Sequence, residues 1–113
     1  MGRAKLVAHE VAIELVKEIG STDVGRGYGH PRNHLRRSAA NVAFRLGEAS
    51  GRTMGNRYQH LEGAYGEAQE IKTALEIIHA YGGDIPETVK RLADRLGGLI
   101  YGLIRAEDRA RKG

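Results

Sequence analysis

The sequence predicts an all-α fold, an antiparallel up-down-up-down four-helix bundle, on three observations. Apolar residues recur at three- and four-residue spacing over four segments separated by breaks rich in glycine or marked by proline. β-Branched and aromatic runs are absent, and no alternating segment lies beside an Asn-Gly or Asp-Gly turn. The apolar seams step close to the heptad period, and helices with such seams joined by short turns cross at roughly 20°, as bundle helices do. At 113 residues the chain holds one domain with one modest core.

The first helix is expected over about residues 4–19, where Leu6, Val7, Ala8, Val11, Ala12, Leu15, Val16 and Ile19 alternate with Glu10, Glu14 and Lys17. Gly20 is read as its stop, and Ser21 to Gly29, with glycines at 25, 27 and 29, as a loop. The second, over 31–50, opens at Pro31 and carries Leu35, Ala39, Val42, Leu46 and Ala49. The third, over 54–81, carries Leu61, Ala64, Ala68, Ile71, Leu75 and Ile78, and ends at Gly82-Gly83. The fourth, over 86–106, opens at Pro86-Glu87; its seam is read as Ile85, Val89, Leu92, Leu96, Leu99 and Leu103. A charged tail from Arg105 to Gly113 is expected to fray.

Composition narrows the chemistry. The absence of cysteine excludes disulfides, thiolate metal sites and cysteine nucleophiles. Leu99 to Ile104, the longest apolar stretch near the C-terminus, is broken by Gly102 and falls far short of the ~20 residues of a membrane span. With no signal-peptide pattern at the start, a soluble cytoplasmic protein without membrane partners is expected.

Charge is segregated along the chain. Residues 26–57 carry seven arginines, no lysine and one acid, Glu48; residues 58–88 carry Lys72 against six acids; residues 89–113 carry seven bases against three acids. Arginines favour planar, bidentate contact with phosphate or carboxylate. Two readings follow. In one, Arg32, Arg36, Arg37, Arg52, Arg105, Arg109, Arg111 and Lys112 form a phosphate-binding surface for nucleic acid. In the other, basic helix two pairs with the acids of helix three. Aromatics are few, so a base-stacking platform has little support.

Helices three and four carry apolar residues outside their seams, among them Tyr65, Ile77, Tyr81, Ile100, Tyr101 and Ile104. A small bundle cannot bury two faces of each helix, so these six are expected at a subunit interface; the alternative is a wide core-facing stripe with tyrosine hydroxyls at its rim. No catalytic or metal site is expected. Gly25-Arg26-Gly27-Tyr28-Gly29 follows no strand and is not a dinucleotide fingerprint. Glu76-Ile77-Ile78-His79 has the Glu-x-x-His spacing of di-iron bundles but lacks the second motif such sites require. His30, His34 and His60 read as ordinary surface or capping residues, and Ser21, Ser38 and Ser50 have no evident base.

Helix two, from Leu35-Arg36-Arg37-Ser38-Ala39 through Val42 and Glu48 to Gly51-Arg52, resembles the signature of the bacterial four-helix-bundle family encoded in intervening sequences of large-subunit ribosomal RNA genes. Gly66 and Glu70 are similar to that family's Gly-Ser-x-x-Glu, and Leu99 to Arg105 to its closing Leu-x-x-Leu-Ile-Arg; Asn41, Arg45 and Ala49 depart from its pattern. The resemblance spans roughly residues 4–105. It implies a ring-like homopentamer with a central channel, no established enzymatic activity and no cofactor. The same fold group includes the accessory variability determinant of diversity-generating retroelements, a basic pentamer that binds a reverse transcriptase and nucleic acid. The function expected is thus that of a non-catalytic oligomeric accessory protein binding RNA, DNA or a reverse transcriptase. The alternative is a purely structural homo-oligomeric module.

Overall fold

The computed structural model describes residues 3–51 and 54–112. They form four helices, α1 (Arg3–Thr22), α2 (Gly29–Ser50), α3 (Met54–Ala80) and α4 (Glu87–Lys112), with no strand among the described residues. α2 packs on α3, α3 on α4, and α1 on both α2 and α4. The body measures 48 × 20 × 18 Å, its long dimension near the ~40 Å that a 27-residue helix spans at about 1.5 Å per residue. No described helix is long and apolar enough to cross a membrane.

The seams on α2 and α3 are buried at every expected position, with Ser38 beside the α2 seam. On α1, Ala8, Val11, Ala12, Leu15 and Ile19 are buried, whereas Val16 lies on the exposed side with Ile13. α4 differs from the expected seam. Its buried residues are Val89, Leu92, Ala93, Leu96, Gly97 and Ile100. At about 100° of turn per residue these fall in one sector of roughly 140°. Ile100 sits near the middle of that sector and Leu99 outside it. Ile100, expected at a subunit interface, is instead 0% exposed and belongs to the core. The small side chains of Ala93 and Gly97 complete a face that a count of large apolar residues misses.

Helix ends differ as well. α1 runs through Gly20 to Thr22, whose hydroxyl donates to the Glu18 carbonyl at 2.6 Å. The chain then reverses at Asp23 (φ +50°) and Gly25 (φ +79°), closed by Arg26 N–H to Asp23 O at 3.2 Å and Tyr28 N–H to Gly25 O at 2.9 Å. Val24 is buried, and a Cβ on Gly25 would stand 2.8 Å from Ile78 Cδ1. The glycine-rich segment is therefore a packed turn seated on α3. α3 closes with Gly82 (φ +98°) and a pair of bonds, Gly83 N–H to Ile78 O and Gly82 N–H to His79 O, each 2.9 Å. This pairing satisfies carbonyls that the last helical turn leaves open.

The charged C-terminal segment is helical to Lys112. Contacts from the first turns of α3 hold it. Arg57 Nη1 donates to Glu107 Oε1 at 3.0 Å, and the Arg111 guanidinium lies 4.6 Å from the centre of the Tyr58 ring. Tyr58 donates to Asp108, which holds the phenol above its usual range, with desolvation adding to the shift.

Beside Glu107 lies Lys5, 5% exposed, whose Nζ makes no hydrogen bond among the described residues. Burial pushes its ammonium below the ordinary value of 10.5; the Arg57 cation adds to this and Glu107 opposes it. Between the lowered value and 10.5 the unfolded chain holds the proton that the folded chain has released. Stability from this group therefore rises with pH across that window, and the burial penalty is full below it. A Lys5→Met variant keeps the packed stem without the charge. Thermal unfolding at neutral pH should show it melting about 4 °C higher, the shift that roughly 1 kcal/mol produces in a domain near this size. Its alkaline gain in stability should disappear.

Candidate nucleic-acid interface

α2 sets its arginines by helical phase. With Leu35, Ser38 and Ala39 turned into the core, Arg36 and Arg37 face solvent. Arg37 Nη2 lies 3.5 Å from His34 Nδ1, and Arg36 meets no hydrogen-bond or ionic partner among the described residues. Arg32 is different: its Nη2 sits 2.6 Å from Asp23 Oδ1, and the same carboxylate lies 3.6 Å from Arg26 Nε. Asp23 thus anchors Arg32 to the α1–α2 turn and offsets part of its charge. Arg52 lies outside the described residues.

At the far end of the molecule, Arg105 donates to the Tyr101 hydroxyl at 3.2 Å and lies 5.7 Å from the centre of that ring. Arg109, Arg111 and Lys112 are exposed.

The expected arginines do not form one patch. Arg32 sits near the C-terminal end of α3, where Tyr28 stacks on Tyr81 at 6.1 Å and Gly25 approaches Ile78, and Arg36 and Arg37 follow about one turn farther along α2, between the His34–Glu70 and Asn41–Glu67 contacts. The α4 group sits near the N-terminal end of α3, fixed by Arg57–Glu107 and Tyr58–Arg111. Between Arg57 and Glu70, the partner of His34, α3 advances about 20 Å. α2 and α4 are not a packed pair, each lying against α1 and α3, so their solvent faces look away from each other.

The acids of α3 meet α2 through residues other than Arg36 and Arg37. His34 Nε2 and Glu70 Oε1 are 2.6 Å apart, and Asn41 Nδ2 donates to Glu67 Oε2 at 3.1 Å. Arg45 lays its guanidinium against Gly63, where a Cβ would stand 2.8 Å from Cζ. Arg36 and Arg37 are left facing outward.

The expected interface residues also divide. Ile77 and Tyr81 are exposed at the C-terminal end of α3, and Tyr101 is exposed on α4. Tyr65 is half-buried, its ring 6.0 Å from that of Tyr101, and Ile104 packs against the core. Phe44 on α2, 72% exposed, is the most open large apolar side chain among the described residues, and the seam pattern does not point to it. Two further exposed cations of the basic block at residues 89–113, Arg91 and Arg95 on α4, are not among the expected site residues.

Glu76 and His79 line a groove of about 450 Å³ between α3 and α4, over Leu75, Ile85 and Ala93. Lys72 and Lys90 share its wall, a setting that opposes a bound cation. Among the described residues no group of three His, Asp or Glu side chains converges on a metal position. No protein-family model, curated protein or solved structure matches the chain.

Proposed function

We propose that the protein is a non-catalytic, cytoplasmic, oligomeric accessory protein that binds RNA or DNA through exposed arginines, alone or with a ribonucleoprotein partner such as a retroelement reverse transcriptase. The observation that carries this reading is the exposure of Arg36, Arg37, Arg105, Arg109, Arg111 and Lys112 with no carboxylate partner among the described residues. Cations whose charge no carboxylate neutralises within the chain are free to exchange counterions for phosphates. The resemblance of helix two to the intervening-sequence family supports the same function, an up-down-up-down order of helices and a closed homopentameric ring.

Assembly is supported separately by exposed apolar side chains at three places, Phe44 on α2, Ile77 with Tyr81 at the C-terminal end of α3, and Tyr101 on α4. In a ring, the arginine groups of each chain repeat around the axis, so that modest contacts per chain add through multivalency. That exposed surface also favours the second reading, a structural module that assembles without binding nucleic acid.

Native mass spectrometry of the chain at micromolar concentration, with and without a 20-nucleotide RNA, tests both parts. The proposal expects a multiple of the 12.3 kDa protomer, most simply five, and added RNA mass on that species. An assembly that takes up neither RNA nor DNA would leave the structural module standing. A 12.3 kDa species alone would remove the oligomer.

A further inference from the structure

α4 carries a second stripe, opposite its buried face. Arg91, Arg95, Gly98, Gly102, Arg105 and Arg109 step by four, three, four, three and four, and all six are exposed. From Arg91 to Arg109 the stripe runs about 27 Å along the helix. The acids of α4 lie off it and are engaged with α3. Asp94 sits 3.5 Å from Lys72, Glu107 pairs with Arg57, and Asp108 accepts from Tyr58. Only Glu87, in the first turn, precedes the stripe on the outer side.

This arrangement works against the helix. Arg91 with Arg95, and Arg105 with Arg109, place like charges at i,i+4, which is destabilising. Gly98 and Gly102 each cost up to about 1 kcal/mol relative to alanine in a helix interior. Neither glycine is required by packing, since a Cβ at either would meet nothing within 4 Å. A surface that lowers the stability of its own helix, and whose four arginines form no salt bridge with a carboxylate among the described residues, is suited to an external anion.

We infer that the outer face of α4 is the track on which the phosphodiester backbone of a nucleic acid lies, the arginine pairs meeting phosphates on either side of the glycine gap. The inference rests on the proposed nucleic-acid binding and names its surface. Number of charges favours nucleic acid over a second copy of the chain. With 18 Lys and Arg against 14 Asp and Glu, a second copy brings more cations than anions to this face, whereas a backbone supplies one phosphate for each of the four arginines. At the gap the absence of side chains brings the phosphates within reach of both pairs at once.

The test is fluorescence anisotropy of the full chain with a 20-base-pair DNA duplex and with an RNA hairpin of unrelated sequence, over ~50 to 200 mM salt. Four phosphate contacts alone weaken duplex binding about 150-fold across that range, from a slope of about −0.9 per contact. Arg91→Gln with Arg95→Gln should reduce the duplex slope by about 1.8, and adding Arg105→Gln and Arg109→Gln by about 3.6, with helical content unchanged. Gly98→Leu with Gly102→Leu keeps every arginine, should melt no lower than the parent and should lose at least tenfold in affinity. Comparable loss on duplex and hairpin supports a shared backbone contact, and loss on one alone identifies which nucleic acid the track takes. If the four-arginine variant keeps its slope while Arg36→Gln with Arg37→Gln loses it, the α4 track is wrong and the function stands. If the parent chain binds neither probe at ~50 mM salt, both fall. If that failure comes with loss of self-assembly in the four-arginine variant, the face docks a second copy.

Discussion

An Ile100→Glu variant should lose its cooperative thermal transition and most of its helical circular dichroism at 25 °C. Ile100 is fully buried at the centre of the α4 core face, packed in one cluster with residues of all four helices. A carboxylate there is stripped of water among apolar side chains, a cost of several kcal/mol by the usual estimates. That is comparable with the whole stability of a domain this size, about 5–15 kcal/mol. An interface position behaves differently, because the same change there disperses the assembly and leaves helical protomers. Tyr101→Glu, at the exposed neighbouring position, is the matched control and should leave the helical signal intact.

Gly25→Val is expected to lower stability by about 3 kcal/mol, from two causes that add. A β-branched residue at φ +79° is strained, and its Cβ collides with Ile78 Cδ1 inside the packed turn. Chemical denaturation at fixed m-value reads the change as a shift in midpoint. Gly20→Ala is the opposite case. Gly20 lies in α1 with nothing within 4 Å of a Cβ, so alanine there should add about 0.5–1 kcal/mol.

Much of the fold is legible in the sequence because the α2 and α3 seams repeat Leu, Ile, Val and Ala at fixed spacing, and burial follows spacing directly. α4 is harder. Leu99 and Leu103 keep a heptad step, but a straight helix drifts from that step by about 20° per heptad. The true face passes through Gly97 and Ile100. The ends of α1 and α4 depend on tertiary contacts that local signals do not carry. Gly20 is tolerated inside a helix whose real stop is Asp23, and the charged tail stays helical because Arg57 and Tyr58, about fifty residues earlier, hold Glu107 and Arg111.

The candidate site was legible in kind and not in arrangement. The exposure of Arg36 and Arg37 follows from the phase of Leu35 and Ala39. That Arg32 is tied to Asp23, that His34 and Asn41 engage Glu70 and Glu67, and that the α2 and α4 arginines face apart are products of packing. Arg91 and Arg95 fall inside the basic block of residues 89–113, but a count by blocks does not resolve that Asp94 turns toward Lys72 while the two arginines stay exposed on α4.

The central claim is that exposed arginines meet phosphates. The most direct measurement is the slope of log affinity against log salt for the unmodified chain on duplexes of unrelated sequence. The account predicts measurable binding at ~50 mM salt, similar affinity for each sequence, and a linear slope of about −3.6 or steeper, the value for four or more phosphate contacts. Binding that is flat in salt, specific to one sequence, or absent at ~50 mM would contradict it.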